Sequence, residues 1–304
     1  MITDASELTP ALDSLSVMPL DAFSPHEAVR PATEAQVATL LRTSGEFTWP
    51  IIVGRETGLI LDGNHRYAVL RRLGARHVLV QCVAVQSSEV VVGRWCRVFR
   101  GVSRAAFRQL SERQGLVEVA REGPVPRVGS SCHYARRLFA GAPAHDAYQA
   151  CLAAQRLELE LVAVPGVDAP AFEDEERAAL LGEEVETLVL YPPLLDKEVL
   201  LRQTGHRLFP PKSTRFSLPY RVIGVPLPLD GLSGEREPLQ GILDRTREDG
   251  VTFLARGLRV DRVYPEPLYQ FRSYRIPPEC FADAEAWQEY EARLAERLPQ
   301  RVAR

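Results

Sequence analysis

The chain is predicted to be α+β, with strands and helices in mixed order rather than in a regular βαβ series. Three observations carry that prediction. Apolar runs of strand length, such as Ile51-Ile52-Val53 and Leu59-Ile60-Leu61, stand beside glycine turns. Between such runs lie amphipathic stretches, for example Tyr67, Leu70 and Leu73 ahead of a stop at Gly74. No internal repeat or low-complexity tract breaks the pattern.

Taken in order, Leu15 to Met18 reads as a strand. Ser24 followed by Pro25 is a helix-start signal, and a second helix begins at Thr33 and stops near Gly45. Trp49 to Val53 and Leu59 to Leu61 are strands joined by the turn at Gly54–Gly58. A helix runs to Gly74, a strand covers His77 to Val85, and Val90 to Val92 is a further β segment near Trp95. Ser103 to Gln114 has helical spacing in Ala106, Phe107 and Leu110. Residues 121–145, rich in Gly, Pro, Ser and Arg, read as a loop or boundary. Beyond them the pattern gives a helix over Ala147–Arg156, a strand over Leu157–Val164, a helix over Glu173–Leu181, a strand over Val185–Tyr191 and a helix over Asp196–Arg202. After Pro219 proline-spaced segments lead to strands at Val251–Leu254 and Leu258–Val263, and a terminal helix at Ala282–Leu298.

With 304 residues the chain has room for two domains or one domain with a large appendage. Its 45% hydrophobic and 25% charged content is that of an ordinary soluble globular protein. A net charge of −3 argues against a nucleic-acid or anionic-membrane surface. No apolar run reaches the ~18 residues that span a bilayer. The first residues lack a basic-then-apolar pattern, so no signal peptide and a cytoplasmic location are expected. The 5 cysteines lack any CxxC or Cys/His ligand spacing and are expected as reduced, mostly buried thiols. Only Lys197 and Lys212 are lysines in a chain whose other basic residues are arginine. A lysine that survives such a bias marks a place for a compact ammonium.

Three constellations carry chemistry. In Leu61-Asp62-Gly63-Asn64-His65-Arg66 a strand passes through a tight turn into a helix N-terminus, where backbone N–H groups and the helix dipole stabilise an anion. A capping turn with solvated charges contains the same residues. Glu27, beside His26, is a candidate general base, or an ordinary acidic residue in a helix's first turn. Pro210-Pro211-Lys212-Ser213-Thr214-Arg215 suits a phosphate or carboxylate, with cations at both ends and hydroxyls between; a solvated basic turn is the plainer reading. Ser131-Cys132-His133-Tyr134 offers a Cys/His pair with no third partner. GxxxxGK[ST] and GxGxxG loops are both missing, so a nucleotide would be held on a rarer fold.

Leu61-Asp62-Gly63-Asn64-His65-Arg66-Tyr67 with its helix resembles the phosphate-binding motif of the ParB/sulfiredoxin-like fold. Pro25-His26-Glu27 upstream, Trp95, and Pro211-Lys212-Ser213-Thr214-Arg215 downstream extend the resemblance to the free L-serine kinases, over about residues 15 to 220. The resemblance implies a ParB/sulfiredoxin-like nucleotide-binding domain over 15–120, a second α/β domain over 121–224 and a C-terminal extension over 225–304. It implies phosphoryl transfer from ATP or ADP to the hydroxyl of free L-serine, giving O-phospho-L-serine. Glu27, Asp62 and His65 would be catalytic, with Glu27 as the base. Asp62, Gly63, Asn64, His65 and Arg66 would hold the phosphates. His26, Trp95, Lys212, Ser213, Thr214 and Arg215 would face the substrate, and Asp62 would hold Mg²⁺ directly or through water. The partners implied are adenine nucleotide and a small hydroxy amino acid.

Two positions depart from that pattern. Asn64 replaces the first histidine of the usual pair, and Phe216 stands where a histidine is expected. Asn64 also excludes sulfiredoxin chemistry, which needs a cysteine after the glycine. A nucleotide-binding regulator without kinase activity, or a kinase for another hydroxylated small molecule, remains the alternative.

Overall fold

The computed structural model describes residues 10–114, 116–119, 128–132, 135–141, 147–184, 187–203 and 207–297. It is α+β and divides into two compact units. The first unit comprises residues up to Pro25, Val29–Val90 and Ser217 onwards; the second comprises His26–Ala28 and Val91–Phe216. These boundaries differ from the expected 15–120, 121–224 and 225–304.

The first unit is built on a four-stranded sheet of β1 (Leu15–Pro19), β2 (Ile51–Gly54), β3 (Ile60–Asp62) and β4 (His77–Val83), in the order β1–β4–β2–β3. β1 runs antiparallel to β4, β4 parallel to β2, and β2 antiparallel to β3. Helix α1 (Pro31–Ser44) starts with proline in its first turn and ends at Gly45, whose φ of 69° gives the left-handed stop. Helix α2 (Asn64–Arg72) follows β3 directly. The expected helix at Ser24-Pro25 does not form. Ser24 bridges Leu59 and Glu27 bridges Phe209, so the backbone there is extended.

The second unit is organised by a six-stranded antiparallel sheet. Its strands are β5 (Cys96–Arg100), β6 (Leu116–Val119), β7 (Val128–Cys132), β8 (Ala135–Gly141), β9 (Ala171–Glu173) and β10 (Thr187–Tyr191), in the order β9–β5–β10–β7–β8–β6. The stretch expected as a loop over 121–145 therefore holds two strands, β7 and β8. Helix α3 (Arg104–Arg113) is capped by the Ser103 hydroxyl, which accepts the Ala106 N–H. Helix α4 (Ala147–Val162) runs through the segment expected as a strand after Arg156. Ala150, Ala154, Leu157 and Leu161 are buried on one face, and that 3.6-residue period keeps 157–162 helical. Helix α5 (Glu175–Leu181) is capped by Asp174, which accepts the Arg177 N–H. His133, Tyr134, His145 and Asp146 lie outside the described residues.

The chain then returns to the first unit with β11 (Arg221–Ile223), helix α6 (Arg236–Glu248), β12 (Val251–Ala255), β13 (Leu268–Phe271) and helix α7 (Ala284–Arg297). β13 pairs parallel with β11 and antiparallel with β12. The single strand expected over Leu258–Val263 is instead a hairpin of two short strands, Leu258–Arg259 and Val263–Tyr264. Helix α6 was not foreseen: Pro238 and Gly241 mask its period, yet Leu239 and Leu243 are fully buried.

This return explains the unexpected boundary. Val225, Leu227, Leu232, Leu239, Leu243, Val251 and Phe271 share one core with Val17, Ile51, Ile60, Tyr67, Leu70 and Val80. Residues from 225 on thus supply 8 of that core's 23 described buried residues. Among the described residues, no helix is long and apolar enough to cross a membrane. The cysteine thiols are free at Cys82, Cys96, Cys151 and Cys280, and burial pushes the Cys96 thiol up to about 12, leaving it inert at neutral pH.

Leu243→Ala should lower the unfolding free energy by about 2–5 kcal/mol, as for other buried leucines, measured by urea denaturation. A cost no larger than that of an exposed leucine would contradict the shared core.

Candidate functional site

The first cluster lies in the first unit, at the turn between β3 and α2. Gly63 has φ 101°, and a Cβ there would meet Arg66 Nη2 at 2.9 Å and Nε at 3.1 Å, so only glycine fits. No side chain caps the start of α2. That is the condition in which the first N–H groups of a helix are offered to an anion. Asn64 is 8% exposed and its Oδ1 has no partner, and the buried Arg66 Nε also has none.

Asp62 is the centre of an arginine cluster. Its Oδ2 accepts from Arg221 Nη1 and, at 2.9 Å, from Arg262 Nη2, with Arg66 Nη2 at 3.9 Å. Burial alone would raise the Asp62 carboxyl, but Arg262, Arg221 and Arg66 together hold it well below the usual carboxylate range. Arg221 also donates to Glu266, and both Arg221 and Arg262 lie over the Tyr264 ring, at 5.1 and 4.8 Å. His65 is committed locally: its Nε2 accepts the Arg30 N–H at 3.0 Å, which makes Nε2 an acceptor.

These donors do not fit Mg²⁺ at Asp62. The ion favours one or two carboxylates and water, whereas Asp62 Oδ2 already accepts from two guanidinium groups and a third stands beside it. Among the described residues no group of three or more His, Cys, Asp or Glu could hold a metal. In the structure Asp62 is an organiser of arginines.

The second cluster lies in the second unit, around Glu27. Residues 26–28 pair with Phe209: the Ala28 N–H donates to Phe209 O and the Phe209 N–H to His26 O, both at 2.8 Å. This brings the Glu27 carboxylate against the Lys212–Thr214 loop. The Lys212 N–H donates to Oε2 at 3.1 Å; the Thr214 N–H and hydroxyl both donate to Oε1 at 2.5 Å. His26 Nε2 lies 2.6 Å from Thr214 Oγ1. Because the threonine proton goes to Glu27, His26 must donate through Nε2. Burial raises the Glu27 carboxyl, yet the bonds and charge from His26 and the bonds from Thr214 lower it overall, so Glu27 is ionised at neutral pH.

Lys212 is, among the described residues, the single non-glycine with positive φ, at 62°. That conformation costs about 1 kcal/mol and turns its N–H to Glu27. Arg97 compensates from within. Arg97 is 1% exposed; it donates to the carbonyls of Trp95 at 2.7 Å, Lys212 at 3.0 Å and Pro211 at 3.2 Å, and pairs with Glu158 Oε2 at 2.9 Å. Lys212 Nζ stands 4.5 Å from the Trp95 ring centre and 5.7 Å from that of Phe172. Arg215 lies over Trp95 at 4.7 Å and pairs with Asp174 at 2.7 Å.

The expected site residues therefore fall into two sets. Asp62, Gly63, Asn64, His65 and Arg66 gather at the α2 start, and His26, Glu27, Trp95, Lys212, Ser213, Thr214 and Arg215 gather around the loop. Two hydroxyls are used differently from expectation: Ser213 donates to Pro210 O at 2.7 Å and Thr214 to Glu27. Phe216 meets His26 edge-on, with ring centres 5.6 Å apart. Arg97, Glu158, Arg221 and Arg262 were missed by sequence reasoning. Arg97 and Glu158 had a signal, being charged residues among buried neighbours in Cys96-Arg97-Val98 and Leu157-Glu158; Arg262, 200 positions from Asp62, had none.

No family model matches the chain. The ATP-dependent L-serine kinase of Staphylothermus marinus is 23% identical over 231 residues, covering 70% of this chain and 89% of that protein. The ADP-dependent L-serine kinase SerK of Thermococcus kodakarensis is 32% identical over 102 residues, 32% of this chain and 41% of its own length. The chain is a distant homologue of the free L-serine kinases. Solved structures agree in fold. SbnI with a C-terminal truncation, from Staphylococcus aureus, has TM-score 0.63 at 15% identity and covers 78% of this chain and 98% of its own. A free serine kinase in complex with AMP has TM-score 0.57 at 19% identity, covering 72% and 93%. The mixed α+β architecture thus resembles that of free serine kinase structures.

Two outcomes follow from the clusters. Arg97→Met should cost about 3–5 kcal/mol by removing the guanidinium that faces the buried Glu158 carboxylate, while Arg97→Met with Glu158→Leu should regain most of it in chemical denaturation. Asp62, whose carboxyl is depressed on folding, adds stability that is full above the usual carboxylate range and is lost as pH falls toward its own lower value. The stability gap between wild type and Asp62→Asn should accordingly be constant near neutrality and close in acid; a gap insensitive to acid would contradict the ion-pair account.

Proposed function

We propose that the protein is a small-molecule kinase, transferring the terminal phosphoryl group of ATP or ADP to the hydroxyl of free L-serine to give O-phospho-L-serine. The observation that carries this reading is the ionised Glu27 carboxylate, fixed by two backbone N–H groups and the Thr214 hydroxyl. The distant homology to L-serine kinases supports it, and we assign the first unit's fold to the ParB/sulfiredoxin-like type.

Phosphoryl transfer asks the protein mainly for positioning and charge stabilisation. In this reading the α2 N-terminus, Asn64 and Arg66 hold the nucleotide phosphates. Glu27 orients the serine hydroxyl and takes its proton as the new O–P bond forms and the bond to the leaving nucleotide phosphate breaks. A carboxylate with a lowered pKa is a weak base. It suits a loose transition state, in which the hydroxyl loses its proton late. Lys212, with its ammonium over Trp95, and Arg215 hold the amino acid's carboxylate. His26 acts through Thr214 rather than on substrate, since its Nε2 proton is spent there.

A second reading concerns the acceptor. Phe216 places an apolar ring against His26 where the resemblance expects a histidine, which favours a hydroxylated acceptor other than serine. A panel of hydroxy acids with Mg-ATP or Mg-ADP, read by mass spectrometry, separates the two.

Glu27→Gln should retain nucleotide affinity while phosphoserine formation falls by about 100-fold or more. Turnover equal to wild type would remove Glu27 as the base.

A further inference from the structure

We infer that Arg262, carried by the C-terminal stretch beyond residue 225, is a phosphate-binding residue of the nucleotide site, and that Asp62 is the positioning residue that holds it there. The inference rests on the nucleotide reading of the α2 turn and extends it to a part of the chain with no assigned role.

The argument is one of charge and geometry within the first unit. Asp62 is the last residue of β3, immediately before Gly63 and the uncapped start of α2. A single carboxylate oxygen there receives Arg221 and Arg262, with Arg66 next to it. Glu266 takes a share of Arg221, and Asp261 accepts the Tyr264 hydroxyl proton at 2.7 Å. Asp62 therefore faces three guanidinium groups. Five N–H groups per guanidinium exceed what one carboxylate accepts, and Arg66 Nε is a donor with no partner here.

Exposure divides the three. The Arg221 side chain is only 6% exposed and sits between Asp62 and Glu266, whereas those of Arg66 and Arg262 are 21% and 22% exposed and Asp62 is 21% exposed. Arg221 is the inner anchor, and Arg66 and Arg262 are the two that solvent and ligand can reach. Unmet hydrogen-bonding groups gather at the same place: Arg66 Nε and the side-chain amide oxygen of Asn64, which is 8% exposed, lack partners. Asn64 amide orientation is interchangeable, so its NH₂ can be turned to the same anion. A polyphosphate at the α2 N-terminus would meet backbone N–H groups, Arg66 and Arg262 together. Tyr264 supports Arg262 by its ring face and stays protonated, because burial raises its hydroxyl.

The test uses the full-length protein with Arg262→Gln, Arg262→Lys and Asp62→Asn, measuring nucleotide binding by calorimetry and steady-state KM for nucleotide and serine separately. Arg262→Gln should weaken nucleotide binding by about tenfold to a hundredfold, the loss of one charge-assisted contact, with KM for serine and the melting temperature little changed. Arg262→Lys should recover part of the affinity, and Asp62→Asn should reproduce the loss. Inorganic pyrophosphate should compete with nucleotide on wild type and less well on Arg262→Gln. Wild-type nucleotide binding with unchanged affinity in Arg262→Gln overturns the role of Arg262 and leaves the kinase reading standing. Wild type that binds no nucleotide overturns the kinase reading itself. A fall in affinity matched by a fall in melting temperature, without rescue by lysine, assigns Arg262 to structure alone and also overturns the inference.

Discussion

The second unit depends on a guanidinium that never reaches solvent. Arg97 projects from β5 into the core, pairs with Glu158 of α4, and spends its remaining donors on the carbonyls of Trp95, Pro211 and Lys212. A buried pair of this kind is poor value as stabilisation, because desolvation offsets most of the attraction. Its use is geometric. The planar fork binds several carbonyls at fixed angles, which a lysine ammonium or an apolar residue cannot do. Lys212 is thereby kept in a left-handed conformation, and the N–H groups of 212 and 214, on either side of Ser213, both point at Glu27. The strain at Lys212 and the pairing inside the core are two ends of one arrangement.

The first unit solves its charge problem in the opposite direction. There a carboxylate is the fixed point and the guanidinium groups surround it. Asp62 ends β3, whose edge is held by β2, and its cations come from β11 and from the hairpin at Leu258–Tyr264. The C-terminal stretch thus does two things for the same unit: it completes the apolar core through Leu239, Leu243 and Phe271, and it supplies Arg262 and Glu266 around the α2 turn. One folding event places both.

What could be read from the sequence followed locality. The strand–turn–helix at 59–74 was legible because apolar run, glycine and helical period lie within one stretch, and the strands at 15–19 and 77–83 were legible for the same reason. Ser24-Pro25 misled, since a local helix signal lost to pairing of Ser24 with Leu59 and Glu27 with Phe209, contacts no local pattern contains. Leu157–Val162 misled because its apolar residues fit a strand as well as the last turns of a helix. The structure gathers the candidate residues into two clusters but changes some of their contacts: Ser213 and Thr214 look like ligand donors in sequence and donate to Pro210 and Glu27. The arginine pairing of Asp62 was hidden for a similar reason, as a lone carboxylate at a phosphate-type turn gives no sign of the distant arginines placed beside it.

Asn64 takes on a sharper meaning in that light. Of the two neighbouring positions that a histidine pair would fill, one holds an amide and the other, His65, has its Nε2 committed to the Arg30 N–H. That bond fixes the orientation of the ring and makes Nε2 an acceptor. Backbone N–H, amide and guanidinium groups gather at the α2 start. Charge at this turn is dominated by its arginines and by the Asp62 that gathers them. In the second unit the hydrogen-bonded His26–Thr214–Glu27 chain gathers its polar groups around an acid instead.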